Sequence, residues 1–185
     1  MLYHTEKNYK ESRWKRNHGN VYKFRQSGLS GSGKIRNLYR SETGPLNYTN
    51  KVLDPLQNCI CNSRPRRFRT SVTAAMLTAY YSRGCHSEEL FTELEIENST
   101  DFRKHLNQYD VIHLDIPWCI EPAGGPDQVI SYITEHTIEE LWTFYPGELP
   151  ESVHSLPEAL SRINSSCDQK FIIITNEWDV LIRDK

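Results

Sequence analysis

The stretch with the clearest chemical potential is Ser63-Arg64-Pro65-Arg66-Arg67-Phe68-Arg69-Thr70-Ser71, four arginines closed by two hydroxyl side chains. An apolar run, Asn58 to Asn62, precedes it, and a helix-like run, Val72 to Tyr81, follows. Strand, tight basic loop and helix is the order of segments that binds phosphate. Backbone N–H groups and a helix N-terminus surround the anion, a lysine reaches the terminal phosphates, and a Ser or Thr hydroxyl holds magnesium. Ser71 supplies such a hydroxyl, while Arg69 and Thr70 stand where the glycine and the lysine belong. Glycine allows positive φ and a close approach, so Arg69 crowds the cradle, and Thr70 brings no charge. Arg64, Arg66 and Arg67 attract phosphate electrostatically, and Phe68 lies among them.

The complementary half of a nucleotide site is a buried strand ending in acidic residues. Phe171-Ile172-Ile173-Ile174-Thr175-Asn176-Glu177 has that form. Asn176 occupies the place of the carboxylate that orients magnesium, and Glu177 the place of the general base that activates water. An amide carries no charge, so metal affinity at Asn176 is expected to fall. Ser71 and Asn176 are thus the metal-facing positions, and Glu177 the catalytic one.

A second phosphate-loop pattern, Gly28-Leu29-Ser30-Gly31-Ser32-Gly33-Lys34-Ile35, fits G-x-x-x-x-G-K-[ST] except at Ile35. The residues after it lack an apolar helical face, and Gly44-Pro45 is expected to stop any helix there. A Gly/Ser linker accounts for the same composition.

The elements that must position these residues follow from periodicity. Val52, Leu53 and Leu56 suggest a short amphipathic element, and Asn58 to Asn62 a buried strand. Ala74, Ala75, Leu77, Thr78 and Tyr81 outline a helix up to Gly84. Ser87 is expected to cap a short helix carrying Leu90, Phe91 and Leu94. Asp110 to Ile116 reads as a second buried strand stopped by Pro117, with His113 as a core or edge histidine, and Glu121 to Pro126 as a turn. Val129 to Trp142 has helical spacing up to Pro146-Gly147, and Ser155 is expected to cap a helix through Ile163. Strands separated by helices imply a parallel sheet in an α/β three-layer sandwich.

Composition bounds the class. The 185 residues, 37% hydrophobic and 11% aromatic, suffice for one core. No run reaches the ~18 to 20 apolar residues of a membrane span, and Met1 to Lys15 has no signal-like core, so a cytoplasmic location is expected. Five cysteines are expected to be buried and reduced, Cys59-x-Cys61 within its strand, in preference to metal or redox chemistry. The net charge of -2 conceals an asymmetry: residues 1 to 40 carry ten Lys and Arg against Glu6 and Glu11, a balance of +8, leaving -10 for the remainder. Residues 1 to 47 therefore read as a weakly ordered basic arm whose interleaved aromatics suit nucleic-acid backbone contacts and base stacking.

At these motifs the run from Tyr39 to Asp184 resembles the AAA-ATPase-like family of bacterial proteins, members of which often carry a nuclease-like domain further on. The family's R-P-R-R-F-G-K-[ST] stands against Arg64 to Ser71, and its I-I-I-I-D-E-W-D against Ile172 to Asp179. Ala79 to Cys85, His105 to Ile112 and Leu156 to Leu160 are similar too. The resemblance implies a P-loop NTPase-like sandwich over residues 48 to 185, incomplete at its C-terminus, that uses ATP and Mg2+. Departures fall on functional positions: Arg40-Ser41-Glu42 within a family Y-V-D-K-T-G segment, Arg69-Thr70 for G-K, and Asn176 for D. The expectation is a degenerate site with weak or absent ATP binding and negligible hydrolysis. The alternative is a non-enzymatic module that binds nucleic acid or a homologous ATPase through its basic arm.

Overall fold

The computed structural model describes residues 44–53, 59–62, 70–83 and 85–183. The pattern at Gly28 to Ile35, most of the basic arm, and Ser63 to Arg69 lie outside the described residues. The chain divides into two units, Met1–Gln108 and Tyr109–Lys185.

In the first unit, helix α1 (Gly44–Val52) carries Gly44-Pro45 in its first turn, while the residues whose helix this pair is expected to stop lie outside the described ones. Proline is pre-set for a first helical turn and loses nothing there, because its missing N–H would have had no partner within the helix. Helix α2 (Thr70–Tyr81) forms where the spacing predicts it and is buried nearly all round, with Met76 and Tyr80 fully enclosed. A short helix α3 (Glu88–Phe91), a 3-10 turn (Glu95–Asn98) and a single helical turn α4 (Phe102–His105) follow among the described residues. The Tyr80 ring meets Tyr81 and Phe91 edge-on, with centroids 4.9 and 5.3 Å apart.

Two tyrosine hydroxyls inside this core need partners, and a one-way chain of hydrogen bonds supplies them. Tyr81 donates to Asn50 Oδ1 at 2.7 Å, Asn50 Nδ2 donates to the Tyr80 hydroxyl at 3.0 Å, and Tyr80 donates to the Phe102 carbonyl at 2.9 Å. Thr49 Oγ1 lies 2.6 Å from the Tyr81 hydroxyl. Each hydroxyl has one proton, and besides this contact Tyr81 donates to Asn50 and Thr49 to the Leu46 carbonyl at 3.2 Å, so the two hydroxyls share their protons between this contact and those acceptors. The chain joins α1, α2 and α4 through side chains that would each cost about 1–3 kcal/mol if buried without a partner.

The C-terminal end of α2 is closed from a distance. Asn107, in the left-handed region at φ 54, donates its side-chain amide to the carbonyls of Ala79 and Ser82 at 3.0 and 2.9 Å, and its backbone N–H to Tyr80 at 2.7 Å. The carbonyls of Ala79 and Tyr80 belong to the last turn, whose carbonyls have no partner inside the helix, and that of Ser82 follows just beyond it. Ser87 joins the same knot: its hydroxyl donates to Ala79 O at 2.6 Å and makes no capping bond to α3. The expected cap is thus a correction, because the buried carbonyl of α2 has the stronger claim on that proton.

In the second unit, strand β1 (Asp110–Asp115) leads directly into helix α5 (Ile116–Ala123). β1 stops before Pro117, as expected, and Pro117 lies in the first turn of the helix that follows, for the reason given at Pro45. The expected turn begins later than Glu121: Gly125 N–H reaches Ile120 O and Gly124 N–H reaches Glu121 O, both at 3.0 Å, with Gly124 at φ 82. That paired closure requires a left-handed residue, which glycine provides without strain. Helices α6 (Val129–Phe144) and α7 (Leu156–Cys167) follow, then strand β2 (Phe171–Asn176) and a last turn, α8 (Val180–Arg183). Ser155 stands before α7 but its side chain makes no capping bond; Pro157, in the first turn, removes one of the donors a cap would serve.

Strands β1 and β2 pair in parallel, in register from Asp110 opposite Phe171 to Asp115 opposite Asn176. The described residues are thus mixed helix and strand with a two-stranded parallel sheet, an α/β arrangement. Ile138, Leu141, Leu149, Val153, Ala159 and Ile163 form the core between α6 and α7, with Phe171 of β2 packed against it. Tyr145 donates to Asp110 Oδ2 at 2.6 Å, fixing the start of β1 to the end of α6.

One expected element is absent from its place. Cys59 to Asn62 is exposed and outside any helix or strand, so the buried strand expected there is a correction, as is the burial of Cys59 and Cys61. One isoleucine among two cysteines and two asparagines removes little apolar area from water, and Ile60 is 45% exposed. Cys85 and Cys119 are buried, and Cys167 is partly so. Replacement of Asn107 by Ala should cost about 1–2 kcal/mol of the stability of Met1–Gln108: it removes the side-chain amide from Ala79 O and Ser82 O, which keep the Ser87 hydroxyl and the Cys85 N–H, and it puts an alanine in the left-handed region. Urea denaturation followed by far-ultraviolet circular dichroism would measure the change.

Candidate functional site

The two stretches singled out for chemistry fall in different units. Thr70 and Ser71 are the first two residues of α2, Ser71 exposed and Thr70 partly so. Their place on the first turn follows from the run of Ala, Met, Leu and Tyr behind them, which buries the rest of the helix. Arg64, Arg66, Arg67, Phe68 and Arg69 lie outside the described residues.

Asn176 and Glu177 mark the carboxyl end of β2. In parallel α/β sheets this is the end at which ligands bind. Asn176 is 5% exposed, and its side-chain amide donates to Asp115 Oδ2 at 3.2 Å. Asp115 is the last residue of β1, held opposite Asn176 by the register. The pair therefore presents one negative charge at this edge, and that charge sits on β1. Glu177 is exposed and left-handed at φ 51, turning the chain out of the strand into Trp178 and α8. Val180 N–H closes that turn on Glu177 O at 3.2 Å.

Asp115 was not among the residues expected to matter. Its local signal is an acidic residue ending a strand that carries Val111, Ile112 and Leu114. The ends of β1 and β2 lie 61 residues apart in sequence, and nothing local says that they meet. His113, two residues before Asp115, is partly buried, as expected for a core or edge position. Burial holds its imidazole below the usual 6.5, with the Asp115 carboxylate opposing.

Oxygen donors suit Mg2+, which is bound through one or two carboxylates with water and phosphate completing the shell. Asp115 and Asn176 offer one carboxylate and one amide. Among the described residues no three His, Cys, Asp or Glu side chains group as metal ligands. Nor is any helix there long and apolar enough to cross a membrane.

The model of the AAA-ATPase-like family, described as a predicted AAA-ATPase, matches residues 48–185. No curated protein and no solved structure matches the chain.

The contact between Asp115 and Asn176 has a direct test. Asn176→Asp sets a second carboxylate beside Asp115, and like charges that close cannot both ionise without cost. The variant should be less stable than the parent at neutral pH and should recover as pH falls and the pair takes up a proton. Exchanging the two, Asp115→Asn with Asn176→Asp, should restore most of the loss. Denaturant midpoints across pH would report both outcomes.

Proposed function

The chain belongs to the AAA-ATPase-like family, and from that premise we propose that it is a P-loop-type nucleotide-site domain whose site is degenerate, binding ATP weakly or not at all and hydrolysing it negligibly. The observation that carries this reading is Asn176, buried at the end of β2 with its amide turned to Asp115. At that position the family pattern has the carboxylate that orients magnesium. An amide already engaged as a donor to an anion is a poor substitute.

The other half supports the same reading from sequence. Thr70 stands where the phosphate-reaching lysine belongs, and Arg69 where a glycine would let phosphate approach. Ser71, on the first turn of α2, keeps the hydroxyl, and Glu177 keeps a carboxylate able to act as general base. Catalysis of phosphoryl transfer is mostly positioning and charge stabilisation, and each missing electrostatic group costs about 3 kcal/mol of transition-state binding. Two such losses leave little turnover, whatever Glu177 retains.

A second reading rests on the charge of residues 1 to 40, +8 on a chain of net -2. Such an arm suits phosphate backbones or the acidic surface of a partner ATPase, with no catalysis required.

Calorimetric titration with ATP and magnesium should show little heat for the parent chain and measurable binding for the double change Arg69→Gly and Thr70→Lys. Turnover by the parent at an ordinary ATPase rate, abolished by Glu177→Gln, would overturn the degenerate reading. For the second reading, a gel shift of nucleic acid should weaken steeply with salt and vanish when residues 1 to 40 are deleted; no shift at low salt counts against it.

A further inference from the structure

The exposure of residues 59–62 changes what Cys59 and Cys61 can do. Thiol chemistry requires access and thiolate, and inert cysteines are the buried ones. Cys85 and Cys119 are 8% and 2% exposed. Burial, with the Asp115 carboxylate adding to it, pushes the Cys119 thiol up and keeps it protonated. Cys167 is partly buried, with its Sγ 3.5 Å from Ser166 Oγ. Cys59 and Cys61 alone among the five stand exposed, and they stand together.

A spacing of two residues allows the sulfurs to come within reach of each other. In an extended backbone, residues i and i+2 project to the same side, with Cα atoms about 6.6 Å apart. A disulfide spans Cα separations of about 4.4–6.8 Å, so a slight bend suffices. Outside any helix or strand, residues 59–62 can supply that bend without breaking a ladder.

We infer that Cys59 and Cys61 form a dithiol–disulfide couple that exchanges with low-molecular-weight disulfides of the glutathione class. The thiolate of one cysteine attacks a sulfur of the small disulfide, forming a mixed disulfide and expelling one thiolate, which takes up a proton. The second cysteine, two residues away, loses its proton and attacks the protein-side sulfur. This closes the Cys59–Cys61 bond and releases the second small thiol. Two protein thiols are oxidised and one small disulfide is reduced to two thiols. A ring this short and exposed is of the labile, readily reduced kind. The neighbouring thiol is the resolving group that such sites need. The inference holds independently of nucleotide binding, since it uses neither Thr70 nor Asn176.

The test is to treat the native full chain with glutathione disulfide, quench in acid, alkylate, and map the cysteines by mass spectrometry. Cys59 and Cys61 should lose their thiols together, retain no glutathione, remain in a monomer on a non-reducing gel, and recover both thiols with dithiothreitol. Cys119 should react at least about tenfold more slowly. Cys61→Ser should stop at a glutathione adduct on Cys59, and Cys59→Ser at one on Cys61. Persistent adducts in the parent chain, a covalent dimer, or both thiols still alkylatable after treatment would each overturn the inference.

Discussion

A polar group taken out of water must find a partner inside the protein, and that constraint organises both units of this chain. In Met1–Gln108 it acts through the burial of α2. A helix enclosed on nearly every side cannot send its tyrosine hydroxyls or its last carbonyls to solvent, so Asn50, Thr49 and Phe102 serve the hydroxyls and Asn107 serves the carbonyls. The segments that carry these partners have little reason of their own to take up their positions. α4 is one turn long, and Asn107 adopts a backbone conformation that few residues other than glycine tolerate. Their places are set by what α2 needs.

In Tyr109–Lys185 the same constraint sets the two ends of the sheet. Tyr145 serves Asp110 at the start of β1, and Asn176 serves Asp115 at its close. The second contact bears on function, since it falls at the carboxyl end of parallel strands. A carboxylate on each strand would need a cation to sit comfortably there; a carboxylate facing an amide is complete without one. With an amide at position 176, the one carboxylate of this sheet end has its partner within the sheet. The amide also makes Asp115 the acidic residue of this edge, a role that the family motif alone would not have assigned.

Three segments expected as strands met different ends according to how much apolar area they could remove from water. Asp110 to Asp115 and Phe171 to Asn176 each bring several Val, Ile, Leu or Phe side chains and pair as strands. Asn58 to Asn62 brings one isoleucine, and residues 59–62 stay exposed. The exposure that cost this segment its expected place in a sheet is what gives its two thiols access to chemistry.

From the sequence by itself came the elements with sustained periodicity, α2, α6 and α7, and the two strands with their helical connection. So did the family resemblance. These are legible because hydrophobic spacing and residue type are local, carried within a dozen neighbouring positions. Proline was ambiguous by itself, since the same residue that cannot continue a helix is well suited to begin one, and at Pro45 and Pro117 the structure chose the beginning. Ser87 looked like a cap because its own neighbours said so, yet its proton went to Ala79 O, eight residues back. Only the tertiary structure decided that Asp115 faces Asn176, that Asn107 closes α2, and that Cys59 and Cys61 are exposed. Each depends on which distant groups compete for a partner or for cover from water, and that competition is settled when the chain is folded, across separations that no local pattern spans.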